Sequence, residues 1–405
     1  MMENNKLYIA MVGLPARGKS TMAFKLKDNL SKDNIKVRIF NNGDLRRKTI
    51  KGNTSYARFY DPNNLEAFQI RENIARTNME RAKRYLDTKG QVAILDATNT
   101  TLRRRKLIQD TLTDHPTLFI ECIHDDEEIL NASILRKINQ PEFAHLSPES
   151  AFQSFKERID HYLPSYSPLK KEKYFIRLDS LNNQIMEENV ADDLPFFDRI
   201  RDFLVTDIVK NLYLIRHGET FFNLENRIGG DSKLTANGKL QAEALAEYFK
   251  RMKIPLIFTS QKKRTIQTAE PICRAQKECT IIPLSEFNEI NSGICECMSY
   301  EEIKEKLPDV YYTRKKDKHN YIYPEGEGYI TMHERIDRGI KKALYLSNVA
   351  GNIMIIGHRA VNRMILSHFL YRRLEDVPYI YIPQDKFYYI SATQSKKVFQ
   401  LRSYQ

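Results

Sequence analysis

Leu212-Tyr213-Leu214-Ile215-Arg216-His217-Gly218-Glu219-Thr220 is the stretch from which the rest of this chain can be read. Residues 212–215 are apolar or aromatic and, with Val209 just upstream, make a short buried strand. The strand ends in Arg-His-Gly-Glu. That order places an imidazole beside a guanidinium at the carboxyl end of a strand, the edge where open α/β sheets bind ligands, and Gly218 lets another group approach closely. A histidine held there by polar neighbours can attack phosphorus and carry the phosphoryl group, while Arg216 neutralises phosphate oxygens. An Arg-His pair alone is more often a structural histidine, so the weight falls on what surrounds it.

Downstream, Asn223, Arg227 and Gly229-Gly230 sit in a loop suited to phosphate contacts. A helix is expected over residues 236–250 and a strand over 256–260, with Lys262-Lys263-Arg264 at its carboxyl end. Glu286 and Glu289 follow a strand at 280–284. Residues 352–358 form a strand ending in a second histidine, His358, with Arg359 next and Arg363 on the following helix. Arg216, His217, Arg264 and His358 therefore follow three separate strands at one sheet edge, which a purely structural role does not explain.

The first half reads as a second site. Residues 7–12, Leu-Tyr-Ile-Ala-Met-Val, form a strand, and a helical pattern runs to about Leu30. Between them lies Gly13-Leu14-Pro15-Ala16-Arg17-Gly18-Lys19-Ser20, followed by Thr21. This is a complete G-x-x-x-x-G-K-S in the required strand–loop–helix setting. Its glycines let backbone N–H groups wrap a β-phosphate, Lys19 reaches the β/γ-phosphates, and Ser20 can coordinate Mg²⁺. A second strand at 35–40 precedes Arg46-Arg47, and a helix over 64–88 carries Arg71. A third strand, 91–95, ends in Asp96-Ala97-Thr98-Asn99-Thr100-Thr101; an aspartate there can hold Mg²⁺ through water. Arg103-Arg104-Arg105 opens the next helix, a strand follows at 117–123, and helices at 127–138 and 149–163 deliver Lys137 and then Arg158 with Tyr162. A last strand of this half is expected at 172–179, and a helix near 194–207 leads out of it.

At 405 residues the chain suggests about two to three domains. The expected domains are 1–207, an α/β unit built round the phosphate-binding loop, and 208–405, an α/β unit built round the strand-end histidines. No apolar run approaches the roughly 20 residues that span a bilayer. The leading Met1-Met2-Glu3-Asn4-Asn5-Lys6 lacks a signal-peptide shape, and five cysteines, an odd number, fit a reduced compartment. A cytoplasmic protein with no membrane partner is expected. Cys295 and Cys297 lie close, but no second pair has zinc spacing. The net charge of +12 admits nucleic-acid binding, yet the basic residues sit inside motifs rather than in one block. Phosphorylated small molecules are the better reading, with no nucleic-acid partner.

The strings GLPARGKS at 13–20, DATNTT at 96–101, RHGE at 216–219, RIGGD at 227–231 and SQKKRTIQTAE at 260–270 resemble one family, the 6-phosphofructo-2-kinase/fructose-2,6-bisphosphatases. The resemblance covers nearly the whole chain, and it implies a P-loop kinase with a parallel sheet over 1–207 and an α/β histidine phosphatase over 208–405. It implies two sites: one makes fructose 2,6-bisphosphate from ATP and fructose 6-phosphate, and the other removes the 2-phosphate, controlling glycolysis and gluconeogenesis. It implies that residues 13–21 and Asn131 hold ATP, with Lys19, Ser20 and Asp96 about ATP and Mg²⁺. Arg46, Arg71, Thr98, Arg104, Lys137, Arg158 and Tyr162 fall where the family binds fructose 6-phosphate or stabilises transfer. In the second half it implies His217 as nucleophile and Glu289 as general acid. Arg216, Arg264 and His358 would surround the transferring phosphoryl, and Asn223, Arg227 and Gly230 would complete the cradle. Tyr300, Arg314, Lys318, Tyr329 and Arg363 match the clamp on the 6-phosphate and sugar. Three departures stand out: Arg359 where the family usually has glutamine, Asn131 for an asparagine one position on, and His124 for a cysteine. Phosphorylation control by terminal tails is not expected, and a homodimer is. Two other readings compete, a kinase–phosphatase for nucleic-acid ends and a non-catalytic metabolite sensor. The first would need a long basic groove with aromatic stacking platforms, and the second would tolerate loss of Lys19, His217 or Glu289.

Overall fold

The computed structural model describes residues 5–50, 52–190, 194–347, 351–370, 373–393 and 396–404. The chain divides into two compact units, Met1–Thr206 and Asp207–Gln405. No described helix is long and apolar enough to cross a membrane.

The first unit runs β1 (Leu7–Val12), α1 (Lys19–Lys32), β2 (Val37–Asn41), α2 (Asn42–Thr49), α3 (Leu65–Thr88), β3 (Val92–Asp96) and α4 (Leu102–Thr111). It continues through β4 (Thr117–Ile123), α5 (Glu127–Ile138), α6 (Pro148–Tyr162), β5 (Phe175–Asp179), β6 (Gln184–Asn189) and α7 (Phe197–Val205). The strands form one sheet in the order β2-β3-β1-β4-β5-β6, parallel except for β6. β1 is buried along its whole length because both faces are covered. Leu7, Ile9 and Met11 pack with Leu26, Leu118, Ile120 and Ile200 on one side. Tyr8, Ala10 and Val12 pack with Met79, Leu95 and Phe119 on the other. Fully burying such an aliphatic side chain contributes about 1.5–3 kcal/mol, so the apolar run both forms the strand and anchors the loop that leaves it.

The strand expected at 172–179 is not the last of this unit. β6 pairs antiparallel with β5 and closes the sheet edge. Five of its six residues are exposed and only Ile185 is half-buried, so it carries no apolar periodicity to read.

The second unit runs β7 (Val209–Arg216), α8 (Phe221–Leu224), α9 (Ala236–Phe249), β8 (Leu256–Thr259), α10 (Lys263–Arg274), β9 (Thr280–Pro283), α11 (Tyr300–Lys306) and α12 (Pro308–Lys316). It ends with α13 (Tyr329–Ser347), β10 (Asn352–Gly357), α14 (Arg359–Phe369), β11 (Lys386–Ala392) and β12 (Lys397–Ser403). The sheet order is β12-β11-β7-β10-β8-β9. β7, β10, β8 and β9 are parallel, and β11 and β12 form an antiparallel hairpin on the β7 side that the sequence pattern did not announce. β10 slots between β7 and β8 with Gly357 opposite Arg216. That register sets His358 beside His217 and brings the residues after β8 next to both. Asn223, expected in a loop, lies in the single turn α8, where it and Thr220 form a reciprocal cap.

Candidate active sites

In the first unit, β1 delivers the chain to Gly13, whose φ of +135° only glycine adopts easily. A Cβ there would stand 2.5 Å from the Cys122 carbonyl oxygen, so the turn closes only without a side chain. Gly18, at φ +80°, caps α1 without offering a side-chain acceptor, which leaves the first amides of the helix to a ligand. The turn is tied to the loop after β3. Gly13 N donates to Thr98 O (2.9 Å), and Asn99 Nδ2 donates to Met11 O (2.9 Å). Asn99, at φ +45°, was not singled out from the sequence; its position in the DATNTT string was the available signal.

Lys19 is buried, and its Nζ donates to Leu14 O at 2.5 Å. Burial pushes its pKa down to about 7, against the pull of Asp96 and with the push of Lys137. Lys137, half-buried beside Arg158 and Asp96, falls to about 8 as desolvation and the Arg158 charge lower it. These shifts place Lys19, Asp96, Lys137 and Arg158 within one electrostatic neighbourhood. The negative charge of a bound triphosphate would raise both again and hold the two ammonium groups charged. Asp96 Oδ2 accepts from Asn41 Nδ2 (2.5 Å). Arg17 Nη1 donates to His124 Nδ1 (3.4 Å); burial and the Arg17 charge push His124 down to about 4, so it is neutral. Asn131 lies on α5 with its Oδ1 buried and unpartnered.

A cavity of about 290 Å³ opens alongside, lined by Arg46, Arg71, Thr98, Arg104, Arg158 and Tyr162, together with Phe59, Tyr60 and Phe68. The structure thus gathers six predicted residues from five segments, Arg158 and Tyr162 both coming from α6. Their arginines are held from behind: Arg46 by Tyr60 and Glu142, Arg71 by the Phe59 carbonyl, Arg104 by Glu72. Arg158 lies over the Tyr60 ring, 3.8 Å from its centroid. The Nε groups of Arg46, Arg104 and Arg158 are buried without an acceptor, an arrangement complementary to an anion. Burial pushes Arg46 down to about 10. Arg105 has a different job. It is 1% exposed, pairs with Glu172 at 2.5 Å, and donates to the carbonyls of Thr100 and Ser167, so it holds the loop rather than a ligand.

In the second unit, a cavity of about 760 Å³ is lined by Arg216, His217, Asn223, Arg227, Arg264, Glu289, Tyr300, Arg314, Lys318, Tyr329, Arg359 and Arg363. His217 N donates to Gly357 O (3.1 Å), the bond that the β7–β10 register dictates. Its Nδ1 faces Gly218 O (2.8 Å), which fixes the proton there and leaves the Nε2 lone pair as nucleophile. Burial, with the charges of Arg264 and Arg216, holds His217 well below the usual histidine range, so the imidazole stays neutral and nucleophilic near pH 7. Burial pushes Arg216 down to about 9, reinforced by Arg359, and its Nε is buried with no acceptor.

Glu289 Oε2 accepts from Arg359 N (3.1 Å) and Oε1 from Ile290 N (3.1 Å), which aims the carboxyl at the cavity. Arg335 anchors this segment by donating to Glu286 O (2.6 Å) and Asn288 O (2.9 Å). Glu286 itself points away, into a buried ion pair with Lys342 (2.8 Å). Arg363 Nη1 donates to Tyr329 OH (3.0 Å), while Arg314 packs against the rings of Tyr300 and Tyr323, and Lys318 against Tyr379.

Three predicted residues sit differently from expectation. His358 does not line the cavity: Nδ1 accepts from Arg264 Nε (3.2 Å), Nε2 meets Ser260 Oγ (2.8 Å), and the ring is buried behind Arg264. Gly230 contributes through its backbone, its carbonyl accepting from Arg264 Nη1 (2.9 Å). Arg227 reaches the wall, but its guanidinium is committed to Glu302 (2.8 Å) and Cys297 O (2.7 Å). Gln384, on the wall and bonded to both His217 O and Asn223, went unnoticed in the sequence. No group of three or more metal-ligating side chains occurs among the described residues.

Fold and site together define a two-unit α/β enzyme, a P-loop kinase unit followed by a histidine-phosphatase unit. Residues 1–217 match the family model for 6-phosphofructo-2-kinase, and residues 212–404 that for the histidine phosphatase superfamily, branch 1. The chain belongs to the 6-phosphofructo-2-kinase/fructose-2,6-bisphosphatase family. It is 35% identical over 393 residues to 6-phosphofructo-2-kinase/fructose-2,6-bisphosphatase 3 of Rattus norvegicus, covering 94% of this chain and 69% of that one. It is 36% identical over 394 residues to form 1 of the same organism, covering 94% and 80%. Among solved structures, an alpha-ribazole phosphatase from Shigella flexneri aligns with a TM-score of 0.44 at 25% identity, over 48% of this chain and 95% of that one.

Proposed function

We propose that the first unit makes fructose 2,6-bisphosphate from ATP and fructose 6-phosphate, and that the second hydrolyses its 2-phosphate through a phosphohistidine on His217. By setting the level of that sugar bisphosphate the protein would control the balance of glycolysis and gluconeogenesis. The observation that carries the reading is a buried, neutral His217 with its Nε2 free, facing a cavity that holds a second set of cations for a second phosphate.

In the kinase unit, residues 13–21 and Asn131 hold ATP. Arg46, Arg71, Arg104 and Arg158 take the sugar 6-phosphate, with Thr98 and Tyr162 against the sugar. Lys19 and Lys137 neutralise charge on the transferring phosphoryl, which needs positioning and electrostatics more than covalent help. The Ser20 hydroxyl and the Asp96 carboxylate, after neighbouring strands, are oxygen donors that suit Mg²⁺. When bound, Mg²⁺ would offset charge on the β- and γ-phosphate oxygens.

In the phosphatase unit, His217 Nε2 attacks the 2-phosphate, while Arg216, Arg264, Asn223 and the Gly230 turn cradle its oxygens. Glu289 donates a proton to the departing sugar oxygen, then takes one from the water that cleaves the phosphohistidine. His358 acts from behind by orienting Arg264. Tyr300, Arg314, Lys318, Tyr329 and Arg363 clamp the 6-phosphate and sugar, Arg359 adds a positive charge at the rim, and Arg227 steadies the loop. Five unpaired cysteines support a reducing, cytoplasmic setting. The family resemblance extends the reading to a homodimer, which sedimentation velocity tests.

Incubation with ATP, Mg²⁺ and fructose 6-phosphate should yield an acid-labile sugar bisphosphate, and added fructose 2,6-bisphosphate should be hydrolysed. Absence of both reactions in folded protein would refute the proposal.

A further inference from the structure

The segment entering β11 sends one side chain back to the nucleophile. Gln384 lines the larger cavity, and its Nε2 donates to His217 O (3.2 Å) and to Asn223 Oδ1 (3.0 Å). Backbone groups at the two ends of this relay fix both amide orientations. The His217 carbonyl can only accept, so Gln384 must turn its NH₂ toward it. The Thr220 N–H can only donate, and it donates to Asn223 Oδ1 (3.1 Å), so Asn223 must turn its oxygen inward. With Oδ1 taken by two donors, the Asn223 NH₂ has no partner among the described residues and is left for the cavity that Asn223 lines.

We infer that Gln384 is a positioning residue for phosphoryl transfer, coupling the main chain of the nucleophile to an Asn223 amide that is presented to the phosphoryl oxygens. The inference rests on the phosphatase reading above. Two other bonds pin the nucleophile's backbone, His217 N to Gly357 O and Gly218 N to Thr268 Oγ1, both at 3.1 Å. Gln384 alone among the described residues bonds the nucleophile and Asn223 together.

The test uses the full chain, with para-nitrophenyl phosphate, which needs only the phosphoryl cradle, and with fructose 2,6-bisphosphate. Gln384→Met keeps the length and removes the amide. Gln384→Glu keeps the shape but turns a donor into an acceptor facing two oxygens. Both should lower kcat on either substrate by roughly 10- to 100-fold, Glu more than Met. KM for the bisphosphate should move less than about 3-fold because the Arg314–Lys318 clamp is untouched, and the kinase rate should hold. In an Asn223→Ala background, Gln384→Met should cost at most about 3-fold more, since both act through one contact. Wild-type kcat in Gln384→Met overturns the inference. So does an undiminished cost in the Asn223→Ala background, the mark of a packing defect. If Gln384→Met fails to fold, Gln384→Glu must still show the fall in kcat with KM held, and failure to do so also overturns it. Hydrolysis of para-nitrophenyl phosphate without hydrolysis of the bisphosphate would sink the proposed substrate while leaving the Gln384 series decisive.

Discussion

Arg359 shows how much one side chain can shift in a site whose backbone is unchanged. It stands exposed on the first turn of α14, on the cavity wall, and its main-chain N–H orients Glu289. After burial, its charge is the strongest influence lowering Arg216, so it acts on the phosphoryl cradle as well as on the rim. A neutral side chain would keep the main-chain bond to Glu289 and lose the charge. Arg359→Gln is therefore expected to raise KM for fructose 2,6-bisphosphate about 5-fold, the worth of trading a charge-assisted contact for a neutral one. Inhibition by product phosphate should weaken, and kcat should change little because the contact is made in ground and transition states alike. Steady-state kinetics with both products decide it; unchanged KM and unchanged inhibition would place Arg359 in solvent.

At the scale of elements, two junctions invite tests. The first is the β1–α1 turn. Gly13→Ala would place a methyl 2.5 Å from the Cys122 carbonyl at a φ that L residues rarely adopt. The turn must open, and the kinase rate is expected to fall at least about 100-fold while the phosphatase is spared; assays of both activities check it. The second is the clamp of α13 and α14 on the segment before β7. His368 meets Asp207 at 3.4 Å and Asp337 at 3.3 Å. Burial pulls its pKa down, but the hydrogen bonds and charges of the two aspartates outweigh that and raise it to about 9. Asp337 is held down to about 2, chiefly by the same hydrogen bond, so it remains a carboxylate. A histidine whose folded pKa lies above its unfolded value stabilises fully below about pH 6.5 and loses that stabilisation as pH rises through 9. The melting temperature of the second unit should therefore decline between pH 7 and 10. His368→Gln should lower it at pH 7 by roughly 4–8 °C, for a loss of about 2 kcal/mol, and flatten the decline. Calorimetry across that range is the check; a parallel decline in the variant would assign the effect elsewhere.

For the whole molecule, the net charge of +12 is partly accounted for by two cation-lined cavities, each within its own unit. Each unit holds its own nucleophile or phosphate-binding turn on its own sheet, so the two activities should be separable. Lys19→Ala is expected to abolish sugar phosphorylation and leave hydrolysis near wild type. His217→Ala should do the reverse and remove the acid-labile, base-stable phosphoenzyme formed from labelled bisphosphate. Equal loss of both activities in either folded variant, or label persisting in His217→Ala, would refute two separate sites.

Apolar runs and short motifs are local, and they sufficed for much of this protein. A strand buried on both faces, such as β1 or the inner stretches of β7 and β10, reads as an apolar run. A phosphate-binding turn needs glycine where φ is positive. Both requirements are written in adjacent residues, and the order of strand-ending motifs indicated which side chains would meet at each sheet edge. Tertiary structure decided what adjacency cannot encode. β6 is an edge strand with its face to solvent, so no burial constrained its sequence into a pattern. The partner of a polar side chain depends on segments far along the chain. Arg105 was turned inward by Glu172, His358 was drawn behind Arg264, and Gln384 was brought to His217 across the β7–β11 pairing. A buried polar group must find a partner wherever the fold places one, and only the folded chain determines where that is.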